Sequence, residues 1–170
     1  SITMQYNAYF WLATGLIIIS IIFNLKINYI KRKYWNTISE DQQVNIAKSE
    51  VARSMQSPFK RLYRIKRIVF NIAVVILVLS WIYVIPVKGA SPFPSELKLL
   101  VLWGGTLGFT LGIGTEVLIN IQIAKLKTKD KSVFTYGEKQ FLLLKLHTLG
   151  RISFNAGVIC YAAFMQTSFA

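Results

Sequence analysis

LLVLWGGTLGFTLGIGTEVLIN, residues 99–120, is a mainly apolar run with a single ionisable side chain, Glu116. About 20 such residues cover the hydrocarbon core of a bilayer, so the stretch reads as a membrane-spanning helix with a carboxylate inside it. An ionisable group at that depth costs roughly 2.5 kcal/mol or more, and a chain that keeps one has a partner or a use for it. Gly104, Gly108 and Gly112 precede Glu116 at four-residue spacing. The spacing predicts a smooth packing stripe on the same helix face as the carboxylate.

Three further apolar runs reach spanning length: about Tyr6 to Leu25, Ile68 to Val87 and Phe141 to Met165. Over the 170 residues the apolar fraction is 54%, with a mean hydropathy of +0.46, which is too high for an ordinary soluble domain. Residues 8–25 and 68–85 lack the polar face that a buried helix of a soluble protein carries. The expected fold is an all-α integral membrane protein, one domain over residues 1–170. Its four helices, at about 6–30, 58–86, 96–126 and 136–166, form an antiparallel bundle.

Charge sets the orientation. The net charge is +13, and 11 of the 20 basic residues fall between Lys26 and Arg67. Lys125, Lys127, Lys129 and Lys131 crowd the third connection, whereas the second carries only Lys88 and Lys98. By the positive-inside rule the first and third connections are cytoplasmic, and both termini lie on the opposite, non-cytoplasmic side. Tyr9, Trp11, Trp81, Trp103 and Tyr161 fall near the outer ends, as an aromatic belt does. The first run has no basic segment before it and reads as an uncleaved anchor. The expected setting is a multi-pass membrane protein, with a bacterial inner membrane favoured. Its partners would be lipids, anionic on the cytoplasmic side, and further copies or other subunits, with no nucleic acid.

Between the first two spans, residues 36–56 are polar, with Val44, Ala47, Val51 and Met55 recurring at helical spacing. They predict a weakly amphipathic cytoplasmic helix. Ser57-Pro58 is a helix-start signal, and Lys60, Arg61, Arg64, Lys66 and Arg67 follow it. Lys60, Arg61, Arg64 and Arg67 are candidate contacts for anionic lipid or another anion. Thr135-Tyr136-Gly137-Glu138 has the form of a capping box and predicts that the last helix starts there.

If the last two spans are antiparallel neighbours, one register pairs Glu116 with Arg151, Asn120 with His147 and Gly112 with Asn155. Glu116, Arg151, Asn120, His147 and Asn155 are therefore the candidate polar layer, an ion or substrate site or a register lock. Asn24 and Asn71 are placed to reach it from the first two spans. Catalytic signatures are scarce. Cys160 and His147 lie on one helix, about 20 Å apart by helical rise. One cysteine and one histidine build no conventional zinc site. No catalytic residue, metal or cofactor is assigned.

In size, helix count and basic loops the chain is similar to the small trimeric glutathione-using membrane proteins of eicosanoid metabolism. Arg67-Ile68-Val69-Phe70-Asn71 has their Arg-x-x-x-Asn spacing, although Tyr63 and Val74 stand where acidic residues are expected. A separate reading of these residues has Arg64, Arg67 and Asn71 hold the anion of a lipid or thiol conjugate at the cytoplasmic surface. The glycine stripe and the amphipathic segment point first to a subunit or scaffold of a larger membrane assembly. The polar layer points next to a small ion-coupled or anion transporter, and the resemblance to an enzyme acting on a lipid or thiol conjugate.

Overall fold

The computed structural model describes residues 7–56, 58–84, 95–129 and 136–169. Within them the chain is helical: α1 Ala8–Thr37, α2 Glu40–Ser54, α3 Phe59–Val84, α4 Ser95–Thr128 and α5 Lys139–Phe169. Three of these, α1, α3 and α4, are long and apolar enough to cross a membrane. α5 has the length, at 31 residues, but Lys145, His147, Arg151 and Asn155 interrupt its apolar run. The sequence and the helices together make this a multi-pass membrane protein. Isoleucines and leucines such as Leu100, Leu111 and Leu118 on α4, and Ile18, Ile22 and Leu25 on α1, stand exposed as a lipid-facing belt requires.

Local chemistry explains the helix limits. The Asn7 side chain caps α1 by accepting from the Phe10 backbone N–H, and its amide donates to Thr167 Oγ1 at 2.8 Å, tying the start of α1 to the end of α5. α1 runs to Thr37, well past the 30 expected, because Tyr34 and Trp35 pack on Tyr136 and Lys31 lies over the same ring. Ser39 and Gln42 form a capping box that starts α2, with Glu40 and Asp41 favourably placed in its first turn. Gln43 Nε2 donates to the carbonyl of Trp35 at 2.8 Å, satisfying one acceptor left over at the end of α1.

The last helix begins at Lys139 rather than 136. Gly137 sits at φ +54°, a left-handed conformation that interrupts the helix. Thr135 and Ser57, the predicted caps, and the 86–94 loop lie outside the described residues. Gly137→Ala is expected to cost about 1–2 kcal/mol, because alanine resists left-handed backbone and its Cβ would meet Tyr34 Oη at 2.9 Å. Thermal unfolding in detergent reads this, and an unchanged midpoint would contradict the turn.

The four long helices stand in a row, in the order α1, α5, α4, α3. Small residues create two of the three contacts. Against α1, α5 offers Gly150, Ser153 and Gly157. Ser153 Oγ donates to the Leu16 carbonyl at 2.8 Å, and a Cβ on Gly157 would come within 2.8 Å of Ile17. Against α3, α4 offers Gly105, Gly108 and Gly112, facing Ser80, Ile76 and Ala73 in antiparallel order. The predicted stripe is corrected here in two ways. It faces α3 rather than α5, and Gly105 belongs to it where Gly104 does not, since Gly104 has open space around it. Four-residue steps drift by about 40° each on a helix of 3.6 residues per turn, so positions seven apart stay better aligned.

Aromatic and aliphatic side chains fill the half of the row that holds the start of α1 and the end of α5. Phe109, Ile113, Ala73 and Val158 form one buried cluster, and Leu102, Val84, Ala162, Phe164 and Met165 form a second one nearer that end. The half that holds the end of α1 and the start of α3 is different. Among the described residues α1 and α3, the two ends of the row, have no extended packing on each other. They flank a cleft whose floor is α4 and α5.

Candidate functional site

Glu116 lies on the floor of this cleft with its side chain only 3% exposed. Its Oε1 is 3.5 Å from His147 Nε2 and its Oε2 is 3.3 Å from Arg151 Nε. Glu116 therefore sits level with the turn of α5 between those two residues, which are four apart and share a face. The contacts are electrostatic rather than aligned hydrogen bonds: Glu116 Oε2, His147 Nε2 and Arg151 Nε are buried without a hydrogen-bond partner among the described residues. The Arg151 guanidinium lies 4.6 Å from the centre of the Phe70 ring, so α3 holds it from the other side.

The pairing of Glu116 with Arg151 matches the predicted register, and its other two pairs are displaced. Asn155 accepts from Thr110 Oγ1 at 3.1 Å instead of lying against Gly112. His147 approaches Glu116, while Asn120 lines the same cavity as His147 without a hydrogen bond to it. Asn155 thus belongs to the packed half, about two turns from His147. Gly112 is taken up by Ala73 of α3, which removes it from the α5 face.

A cavity of about 670 Å³ runs from Glu116, His147 and Arg151 toward the start of α3. Lys60, Arg64, Lys66, Arg67 and Arg151 line it as five cations, against the two carboxylates Glu50 and Glu116. Both carboxylates have cationic partners of their own. Glu116 has Arg151, and Glu50, from α2, lies 3.3 Å from Lys127 Nζ and 3.5 Å from Arg53. Among the described residues Lys60, Arg64 and Arg67 form no ion pair, so the cavity has a net positive field. A narrower space of about 310 Å³ brings Lys31 of α1 and Lys127 of α4 to the same cleft, and one of about 270 Å³ brings Asn24. His147 lines all three.

Of the cationic contacts predicted on α3, Lys60, Arg64 and Arg67 line the main cavity and Arg61 is exposed away from it. Asn71 is exposed and lines none of these three cavities, whereas Arg67, the other residue of the Arg-x-x-x-Asn spacing, lines the first. Asn24 does reach the polar layer. Sequence reasoning passed over Tyr63 and Phe70 as cavity residues and left Lys66 out of the site. Their signal was the helical spacing 60, 63, 64, 67, 70, one face of α3, opposite the exposed isoleucines Ile65, Ile68 and Ile72. The link between Glu50 and Lys127 joins elements far apart in the chain and had no local signature.

Outside the membrane-spanning segments, the Tyr136 hydroxyl is pushed above its ordinary pKa, by burial first and by the Glu50 carboxylate second. It stays a neutral phenol beside the cleft mouth across the physiological range. Cys160 is free and part-buried. Among the described residues no group of three or more histidine, cysteine and carboxylate side chains is placed to hold a metal. No protein-family model, curated protein or solved structure matches the chain.

Proposed function

We propose that the chain is a four-span membrane protein, with both termini outside, that binds an anion in a cleft at its cytoplasmic face. The carrying observation is the convergence of Lys60, Arg64, Lys66, Arg67 and Arg151 on one cavity of about 670 Å³, within the usual size of small-ligand sites. Two arginines and two lysines on consecutive turns of α3 supply a fork and point-charge set suited to phosphate or carboxylate. The buried Glu116, ion-paired with Arg151 and close to His147, fixes the floor and the rotamer of Arg151. In this reading α5 is the fourth span, its polar residues turned into the row and its exposed Ile152 and Ile159 toward lipid.

The outer clusters around Phe109 and Leu102 are packed, so this arrangement is a binding state open to the cytoplasm rather than a pore. Transport by a small homo-oligomer requires those clusters to separate. Titrating the purified protein with sodium phosphate at constant ionic strength is expected to raise its unfolding temperature. The double variant Arg64→Gln/Arg67→Gln is expected to lose about 3 kcal/mol of binding, or more than a hundredfold in affinity. A phosphate response equal in the two proteins would remove the site.

A second reading, a subunit of a larger assembly, draws support from α2. Val44, Val51 and Met55 stand exposed on it, at 51%, 60% and 70%, although Glu50 on another face is held by Lys127. Native mass spectrometry after gentle extraction separates the readings. Stoichiometric foreign subunits lost on Val51→Asp support assembly, and a chain free of other subunits supports a self-contained binder.

A further inference from the structure

Resting on the anion-site reading, we infer that the anion is the phosphate of a membrane lipid headgroup, admitted sideways from the cytoplasmic leaflet through the gap between α1 and α3. Both helices contribute to the walls of one cavity, Ile27 and Lys31 from α1 and Tyr63 and Lys66 from α3. As the two ends of the helix row they have no extended packing on each other among the described residues, so no α1–α3 contact closes the side between them, while Glu50 and Ser54 of α2 line the cavity at its cytoplasmic end. A cleft inside a bilayer with an open side admits a molecule that is already in the bilayer.

The lining changes along the membrane normal in the order that an amphiphile requires. Lys60 and Arg64 begin α3 at the cytoplasmic end, and Lys66 and Arg67 follow one turn deeper, where a phosphate of the inner leaflet resides. Beyond them the walls become Phe70 of α3 and, on the α1 side, Ile21 and Phe154. The outward faces of the two flanking helices are aliphatic, with Ile18, Ile22 and Leu25 on α1 and Ile65, Ile68 and Ile72 on α3 exposed. Acyl chains gain from such surfaces at about 0.8 kcal/mol per methylene taken from water, and inorganic phosphate gains nothing from them.

The dead end supports the same occupant. Above Glu116 the row is filled by Phe109, Ile113 and Val158, so among the described residues the cavity ends there and offers a soluble anion no outer exit. Glu116 does not repel the headgroup, because Arg151 and His147 hold it at the floor. The free cations of α3 lie on the cytoplasmic side of that floor, between the triad and the bulk. Basic pockets between membrane helices on the cytoplasmic side are the usual receptors for lipid phosphate.

The test uses the full chain in a neutral detergent, titrated separately with dihexanoyl phosphatidate, dihexanoyl phosphatidylcholine and inorganic phosphate. Phosphatidate is expected to bind at least about tenfold more tightly than inorganic phosphate, the difference made by its buried methylenes. Phosphatidylcholine is expected to bind more weakly than phosphatidate. Arg64→Gln/Arg67→Gln is expected to weaken both anions, and Arg61→Gln, which points away from the cavity, neither. Asn24→Trp, filling the α1 side of the cleft, is expected to weaken phosphatidate and spare inorganic phosphate.

Inorganic phosphate binding as tightly as phosphatidate, with both lost in the arginine variant, would overturn the lipid assignment and leave the anion site standing. Binding of either ligand that ignores Arg64 and Arg67 would overturn both readings. Helical content and unfolding temperature check each variant, and Lys60→Gln, at the exposed rim, replaces the double variant if that one fails to fold.

Discussion

Arg151→Leu is expected to destabilise the protein by about 3–5 kcal/mol, the cost of leaving a buried charge without its partner. Glu116 is 2% exposed, and Arg151 is its nearest cation at 3.3 Å. His147, at 3.5 Å, relieves the loss only when it is protonated. The double variant Glu116→Leu/Arg151→Leu removes both charges together and is expected to be more stable than Arg151→Leu alone, because apolar replacement of a whole buried pair is often neutral or favourable. Unfolding in detergent, followed by circular dichroism, measures the difference. An Arg151→Leu protein as stable as the parent would show that Glu116 does not depend on this contact.

The second large effect belongs to Gly112. Any Cβ at this position runs into the Ala73 Cβ of α3, with the Ala73 Cα and the Val69 carbonyl already at contact distance behind it. Gly112→Leu therefore has to push α3 and α4 apart, an overpacking cost of about 1–3 kcal/mol or more. The damage would extend to the site, since α3 carries Phe70 and the cavity cations while α4 carries Glu116. Gly104→Leu, four residues from Gly108 in the predicted stripe but facing open space, is expected to stay within about 0.5 kcal/mol of the parent. Equal effects at the two positions would contradict the α3–α4 packing.

That contrast shows what the sequence carries. Glu116 and Arg151 were legible because charges in an apolar helix demand one another, and few alternatives exist in 170 residues. The hairpin of α3 and α4 was legible for a similar reason, two spans joined by a short connection. The partner of the glycines was not, since small residues mark a close approach without naming the helix that makes it. Gly150 and Gly157 escaped notice because their seven-residue interval is less conspicuous than a repeated four, although α1 lies directly on them.

The row order was also beyond reach. Whether α1 closes against α3 or stays on α5 depends on Ser153, Tyr161 and Gly157 competing for it, a three-dimensional balance with no local pattern. The cleft follows from that order. Its cations stand out in the sequence as a cluster, but a helix face has to be assigned before Lys66 can be separated from Arg61. The exposed isoleucines at 65, 68 and 72 hold the information for doing so.

The most direct measurement places one cysteine at Ser54, on the cavity rim, in a Cys160→Ser background. Vesicles of both orientations are treated with a membrane-impermeant maleimide, with and without phosphate. A cytoplasmic anion cleft requires labelling only from the cytoplasmic side and slower labelling when phosphate is present. Labelling from the outer side, or a rate indifferent to phosphate, would contradict it.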